Sequence, residues 1–277
     1  MSMGKRVLEQ QAELWVVSAD LPRSPGHAFY DRLNGILAEA GFDRFVEDLC
    51  QPHYAEDAGR DSIPPGVYFR MLFVGYFEEL DSQRAIAWRC SDSLSLRSFL
   101  GIPLEHRTPD HSSLTRIRQR LPREVYDRVF IQVLSIAQEK GLLKGKTVGV
   151  DSTTLEANAA MKSIVRRDTG EGYTEYLKRL LAEQGVENPT DEDARRFDRD
   201  RKNKGSNQQW QSPSDPDSRI AKMKDHRTHL AYKAEHVVDL VSEFVVAAPV
   251  YRADQSDAST MAESLIAAQV NLVLSGS

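Results

Sequence analysis

The chain has 277 residues, 40% hydrophobic and 28% charged, with a formal net charge of −5. That composition supports a packed core and excludes general disorder, while 16 glycines, 12 prolines and 2 cysteines exclude collagen-like and disulfide-stapled classes. A net acidic chain is not a basic nucleic-acid binder as a whole, so any nucleic-acid site has to be a local patch.

The longest apolar stretch, Phe244 to Tyr251, is eight residues and contains Pro249, against the roughly twenty that a membrane span needs. The opening MSMGKRVLEQQAEL has no apolar core of signal-peptide type. Cys50 and Cys90 match no metal spacing and read as free thiols of a reducing compartment. The expectation is a cytoplasmic protein with no membrane partner.

Up to about Gly141 the sequence reads as helical. Phe29, Tyr30, Leu33, Ile36, Leu37 and Ala40 recur at helical spacing, and Gly41 can close that helix. Pro64-Pro65 can open VYFRMLFVGYFEEL, apolar around most of its circumference and so expected to be buried. Ser82 is a good cap for QRAIAWRC, and Thr108 followed by Pro109 predicts the start of DHSSLTRIRQRL. Pro122 precedes a last helix with Val125, Val129 and Val133 on one stripe, ended by Gly141.

From Lys146 the character changes. Thr147 to Asp151 is a short β-branched run read as a strand ending in an acid. A long polar interval follows. It contains one amphipathic helix around Tyr173 to Leu181, then DEDARRFDRDRKNK from Asp191, read as a solvated helix or loop, and turn chemistry from Ser212. Leu230 to Asp239 and Glu243 to Tyr251 predict a hairpin. Asp257 to Leu274 predicts a helix with Met261, Leu265, Ala268 and Leu272 on its inward stripe.

Four groups could carry chemistry. Asp151, at a strand end, could point into a crevice and hold a divalent cation, or simply cap the turn at Ser152-Thr153-Thr154. The interval Arg195 to Lys233 holds eleven Lys/Arg against five Asp, a local +6 that suits phosphate contacts or a solvated loop. Its candidate DNA ligands are Arg219, Lys222, Lys224, Arg227 and Lys233. Arg116, Arg118, Arg120 and Arg123 could make a helix-turn-helix-like reader of DNA, or be ordinary surface arginines of a bundle. His226, His229 and His236 have no cysteine nearby and read as no metal site.

Taken together, VGVDSTTLEANAAMKSIVRRDTGE, SDPDSRIAKMKD, HLAYKAEHVVDL and YRADQSDASTM resemble the DDE-type transposases of bacterial insertion sequences, in the IS-five-like group. GVYFRMLFVGYFEELDSQRAIAWRC and TPDHSSLTRIRQRL resemble that group's N-terminal domain. The resemblance implies an α+β chain: an all-α N-terminal domain over 1–141 for DNA binding and dimerisation, then a ribonuclease-H-like α/β domain over 142–277 with a charged insertion at about 155–228. It implies that Asp151 is the first catalytic acid and a ligand of Mg²⁺ or Mn²⁺. The family's reaction is strand cleavage and transfer with two ions about 3.5–4 Å apart. The implied partners are double-stranded DNA, as element ends and target, and further copies of the chain.

The second acid, expected in an Asp-x-Gly-Tyr segment, and the later Glu find no match, so the catalytic domain reads as incomplete and truncated. His226 also stands where the family has glycine. The alternatives are a catalytically inactive DNA-binding and dimerising fragment that modulates transposition, and a helical interaction protein with no DNA role.

Overall fold

A computed structural model describes residues 26–55, 62–144, 146–201, 204–223 and 227–276. The chain is α+β and divides into two compact units, Met1–Phe130 and Ile131–Ser277. Lys224 and His226, singled out above, lie outside the described residues.

The first unit is helical: α1 (Ala28–Glu39), α2 (Phe42–Cys50), α3 (Pro65–Phe77), α4 (Gln83–Asp92), α5 (Leu94–Phe99), α6 (His111–Arg120) and the start of α7 (Arg123–Glu139). Gly41, at φ 60°, makes the left-handed turn between α1 and α2. The sequence reading passed over α2, although Phe42, Val46 and Cys50 recur every four residues and are all buried. Ser82 caps α4 as expected, its Oγ accepting the Ala85 N–H at 3.2 Å. The cap expected at Thr108 belongs instead to Asp110, whose Oδ1 accepts the Ser112 N–H at 2.8 Å. Aspartate caps at least as well as threonine, and this one directly precedes the run that buries Leu114 and Ile117.

The helices are pinned by one buried charge. Arg70 on α3 is 6% exposed. Its guanidinium donates two parallel bonds to Asp43 of α2 (2.9 and 2.8 Å), one to Asn34 of α1 (2.5 Å) and one to the Phe99 carbonyl of α5 (3.0 Å). The planar fork therefore ties four helices together while satisfying a charge that burial would otherwise penalise. Burial of α3 is not complete: Tyr76, near its end, is 74% exposed.

The second unit is built on a sheet: β1 (Val148–Glu156), β2 (Val165–Arg166), α8 (Tyr173–Glu183), α9 (Asp191–Asp200), β3 (Trp210–Gln211), β4 (Arg219–Lys222), β5 (Thr228–Asp239), β6 (Val245–Ala247), β7 (Val250–Arg252) and α10 (Asp257–Ser275). The long β5 is central. Along one side it pairs antiparallel with β1, from Val148 opposite Asp239 to Glu156 opposite Ala231. Its other side takes β4, β7 and β6 in turn. The expected hairpin is present, with its return arm broken around Pro249. That residue has no N–H to give the ladder, but its carbonyl accepts the Glu235 N–H at 3.0 Å.

Two expectations are corrected. The first strand does not end at Asp151 but runs on to Glu156, because Ser152 to Leu155 pair with β5 instead of turning. On α10, Thr260, Ser264, Ala268 and Ser275 face inward, while Met261 is 50% and Leu265 38% exposed. Of the stripe expected from hydrophobicity, Ala268 is buried and Leu272 half-buried, while Met261 and Leu265 face outward, for a reason given below.

The insertion carries its own small core. Trp210, Ile164 and Leu230 are each at most 2% exposed, and the rings of Tyr173 and Tyr176 meet Trp210 edge-on at 4.9 and 5.2 Å. The acidic start of DEDARRFDRDRKNK forms α9, opened by a reciprocal Thr190–Asp193 capping box. Ala194 packs from α9 against Leu177 and Leu181 of α8.

Candidate functional site

In the helical unit, Leu114 and Ile117 turn α6 inward, which sends Arg116, Arg118 and Arg120 to the exposed side. Arg116 and Arg120 lie one turn apart on the same face. The Arg120 guanidinium stands 4.6 Å above the Tyr54 ring, which orients it without neutralising it. Arg123, also exposed, opens α7 with its Nε 3.6 Å from Asp127. The Thr115 hydroxyl donates to Gln83 at 2.5 Å and so fixes α6 against α4. The result is two exposed cations, Arg116 and Arg120, on one face of a helix held by its neighbours, with Arg118 exposed across the helix from them.

In the sheet unit Asp151 is exposed and sits opposite His236. The direction of its strand's backbone groups follows from the ladder. The Ala157 N–H reaches the Leu230 carbonyl (2.8 Å) and the Leu240 N–H reaches the Thr147 carbonyl (3.0 Å). Odd-numbered residues of β1 therefore bond β5, and even-numbered ones point their N–H and C=O to the opposite edge. The Asp151 carboxylate reaches that edge: its Oδ1 accepts the Ser152 N–H at 2.9 Å. Two cavities, of about 290 and 720 Å³, are lined by residues around Arg70 and around Asn158, and Asp151 is on neither.

A pair of divalent ions needs several hard anionic oxygens in fixed positions. Asp151 brings one carboxylate. Among the described residues no group of three His, Cys, Asp or Glu could hold a metal ion. The described surroundings of Asp151 do not by themselves fit the Mg²⁺ or Mn²⁺ pair that the resemblance implies.

The basic interval is partly committed to the fold. Lys233 is 6% exposed, and its ammonium donates to Glu235 (2.8 Å), Asp257 (3.1 Å) and Thr260 (2.7 Å). The Arg219 Nη1 donates to the carbonyls of Pro216, Asp217 and Ser218, closing the turn before β4. Lys222 at the end of β4 and Arg227 before β5 are exposed, as are Arg195, Arg196 and Arg199 on α9. His229 pairs with Glu156 at 2.6 Å. Cys50 and Cys90 are buried free thiols, which burial pushes up to about 11 and about 12.

Sequence reasoning missed the polar cluster beneath α10. Glu235, 1% exposed, accepts from Lys233, from the Thr260 hydroxyl and from the Ser264 hydroxyl (2.5 Å). Ser264 also meets the Tyr251 hydroxyl at 3.0 Å, and Ser152 donates to Asp257 at 3.1 Å. This is why α10 turns its hydroxyls inward: two buried charges need them as partners more than the sheet needs further methyls. The signal was present in AYKAEHVV, since Lys233 and Glu235 share a face with Ala231 and Val237.

No helix among the described residues is long and apolar enough to cross a membrane. No curated protein and no solved structure matches the chain. Residues 19–120 match the family model described as Transposase domain (DUF772), so over the stretch that contains α1 to α6 the chain is similar to transposases.

Proposed function

We propose that the chain is a transposition protein of the DDE type, in the IS-five-like group, that binds double-stranded DNA through α6 and the start of α7. The observation that carries this reading is the exposed pair Arg116 and Arg120 on one face of a helix inside the stretch similar to transposases, with Arg118 exposed across the helix from them. Arg123 is exposed at the start of α7. Guanidinium groups on a braced helix suit phosphate oxygens, and a helix of this kind can enter a major groove. In this reading the DNA is the end of an insertion element and its target, the protein works in the cytoplasm, and it acts as a homo-oligomer.

The second unit is, in the same reading, a ribonuclease-H-like sheet with Asp151 as its first acid. Its support is the order strand, hairpin, helix, with β5 lying beside β1 over the length of β1. One carboxylate does not make a two-ion cage, so strand cleavage is assigned no step in this chain. That favours the second reading, a fragment that binds DNA, dimerises and modulates transposition without cutting.

Binding of a fluorescent duplex tests the assignment of the surface. Arg116→Ala/Arg120→Ala should weaken binding at least tenfold at about 0.1 M salt, and Arg195→Ala/Arg196→Ala on α9 should leave it within about twofold. The reverse ranking would move the interface to the insertion.

A further inference from the structure

Opposite the buried Leu114 and Ile117, the crest of α6 carries uncharged polar side chains, Ser112 and Gln119. At about 100° per residue, Gln119 lies about 140° from Leu114 and about 160° from Ile117, and Ser112 the reverse. On a helix with this buried face no other position points so directly away from the core. The arginines take the flanks: Arg120 lies about 60° from Ile117, with Arg116 beyond it on the same side, and Arg118 about 40° from Leu114 on the other. Gln119 is exposed and Ser112 half-buried. Among the described residues the Gln119 amide has no hydrogen-bond partner. Thr115, between them along the helix, is spent on Gln83 (2.5 Å) and on the His111 carbonyl (3.1 Å).

We propose that Gln119 is the residue through which α6 reads DNA sequence, by pairing with the edge of an adenine in the major groove. A helix lying in that groove turns its crest to the base pairs and its flanks to the phosphate walls. Here the crest carries an amide and the flanks carry guanidinium groups, which is the division that base reading and phosphate positioning require. A glutamine amide offers a donor and an acceptor side by side. They match the N7 acceptor and N6 amino donor of adenine, a pair that no other base presents in the major groove. Arg118 and Arg120, one on each flank, bracket Gln119 and set how the helix sits between the phosphates. The bond from Thr115 to Gln83 holds α6 against α4 while leaving the Gln119 amide free. Ser112 lies about 10.5 Å away on the same line, or about three base-pair steps of 3.4 Å. Its hydroxyl suits any base edge and so adds contact with little choice. The inference rests on the reading of α6 as the DNA-binding helix and adds which of its residues chooses the site.

Selection of binding sites from a randomised duplex pool, by the full chain and by two variants, tests the assignment. The unsubstituted chain should enrich sites with an adenine at one position, preferred about fivefold or more over the other bases. Gln119→Ala should level the preference at that position alone. It should leave the salt slope and the melting curve unchanged, because Gln119 is exposed and uncharged. Gln119→Glu should move the preference at that position to cytosine, whose amino group a carboxylate can accept. A consensus that Gln119→Ala leaves intact would overturn the assignment, and so would a pool in which no sequence is enriched. Salt-dependent binding with no preference tied to residue 119 removes this assignment alone. Duplex binding that ignores both salt and Arg116→Ala/Arg120→Ala removes the DNA reading of α6, and this assignment with it.

Discussion

Lys233 and Glu235 hold ammonium and carboxylate 2.8 Å apart beneath α10, with 8% and 1% of their side chains exposed. They are two positions apart on one strand, so they share a face, and the hydroxyls of Thr260 and Ser264 complete their coordination from the helix. A buried pair of this kind gains little over a well-packed apolar pair but is costly to break on one side only. Lys233→Ala should destabilise the second unit by about 3–5 kcal/mol, because it strands a buried carboxylate. Lys233→Met/Glu235→Leu should lose markedly less. Urea denaturation of the single and double variants measures the difference.

The same pair sets a pH dependence. Burial pushes the Glu235 carboxyl up, but bonds from Lys233, Ser264 and Thr260 outweigh it and leave the group below its ordinary 4.5. Burial pulls the Lys233 ammonium down, but its bonds to Glu235 and Asp257 outweigh that and leave it above its ordinary 10.5. The Glu235 contribution is therefore complete above 4.5 and is lost as pH falls through its folded value. The Lys233 contribution is complete below 10.5 and is lost as pH rises through its folded value. Melting temperature should have a plateau between these limits, and Glu235→Gln should flatten the acid limb.

Arg70 predicts a sharp difference between two cations. Lysine keeps the charge but cannot make the two-pronged contact with Asp43 while also reaching Asn34 and the Phe99 carbonyl. Arg70→Lys should cost the helical unit about 3 kcal/mol, read from a lowered denaturant midpoint with an unchanged slope.

Asp151 carries a prediction about chemistry. With one carboxylate at the site among the described residues, duplex DNA incubated with the chain and Mg²⁺ or Mn²⁺ should stay intact, and Asp151→Asn should bind DNA as the unsubstituted chain does. Divalent-dependent nicking that disappears in Asp151→Asn would mean that further carboxylates assemble around it.

Much of this architecture was legible in the sequence. Gly41, Pro65, Ser82 and Gly141 punctuate the helices where backbone chemistry requires, and the β5 hairpin followed from its β-branched run. What escaped is informative. The extension of β1 past Asp151 was hidden by Ser-Thr-Thr, which is as good a turn as a strand until β5 offers partners. The orientation of α10 defied its hydrophobic pattern because a buried Lys-Glu pair on another element needed its hydroxyls, a demand not visible in α10 alone. The basic count of the insertion overstated its free charge, since Lys233 and Arg219 are spent on the fold. The exposure of the α6 arginines was legible because Leu114 and Ile117 at helical spacing take the inward face.

The central claim, that this chain holds DNA through the arginines of α6 and the start of α7, is tested most directly by the salt dependence of duplex binding. If three or four guanidinium groups neutralise phosphates, log K against log salt should fall with a slope of about −3 to −4, and Arg116→Ala/Arg120→Ala should reduce its magnitude by about 2. A slope near zero, or one that the double variant leaves unchanged, would contradict the account.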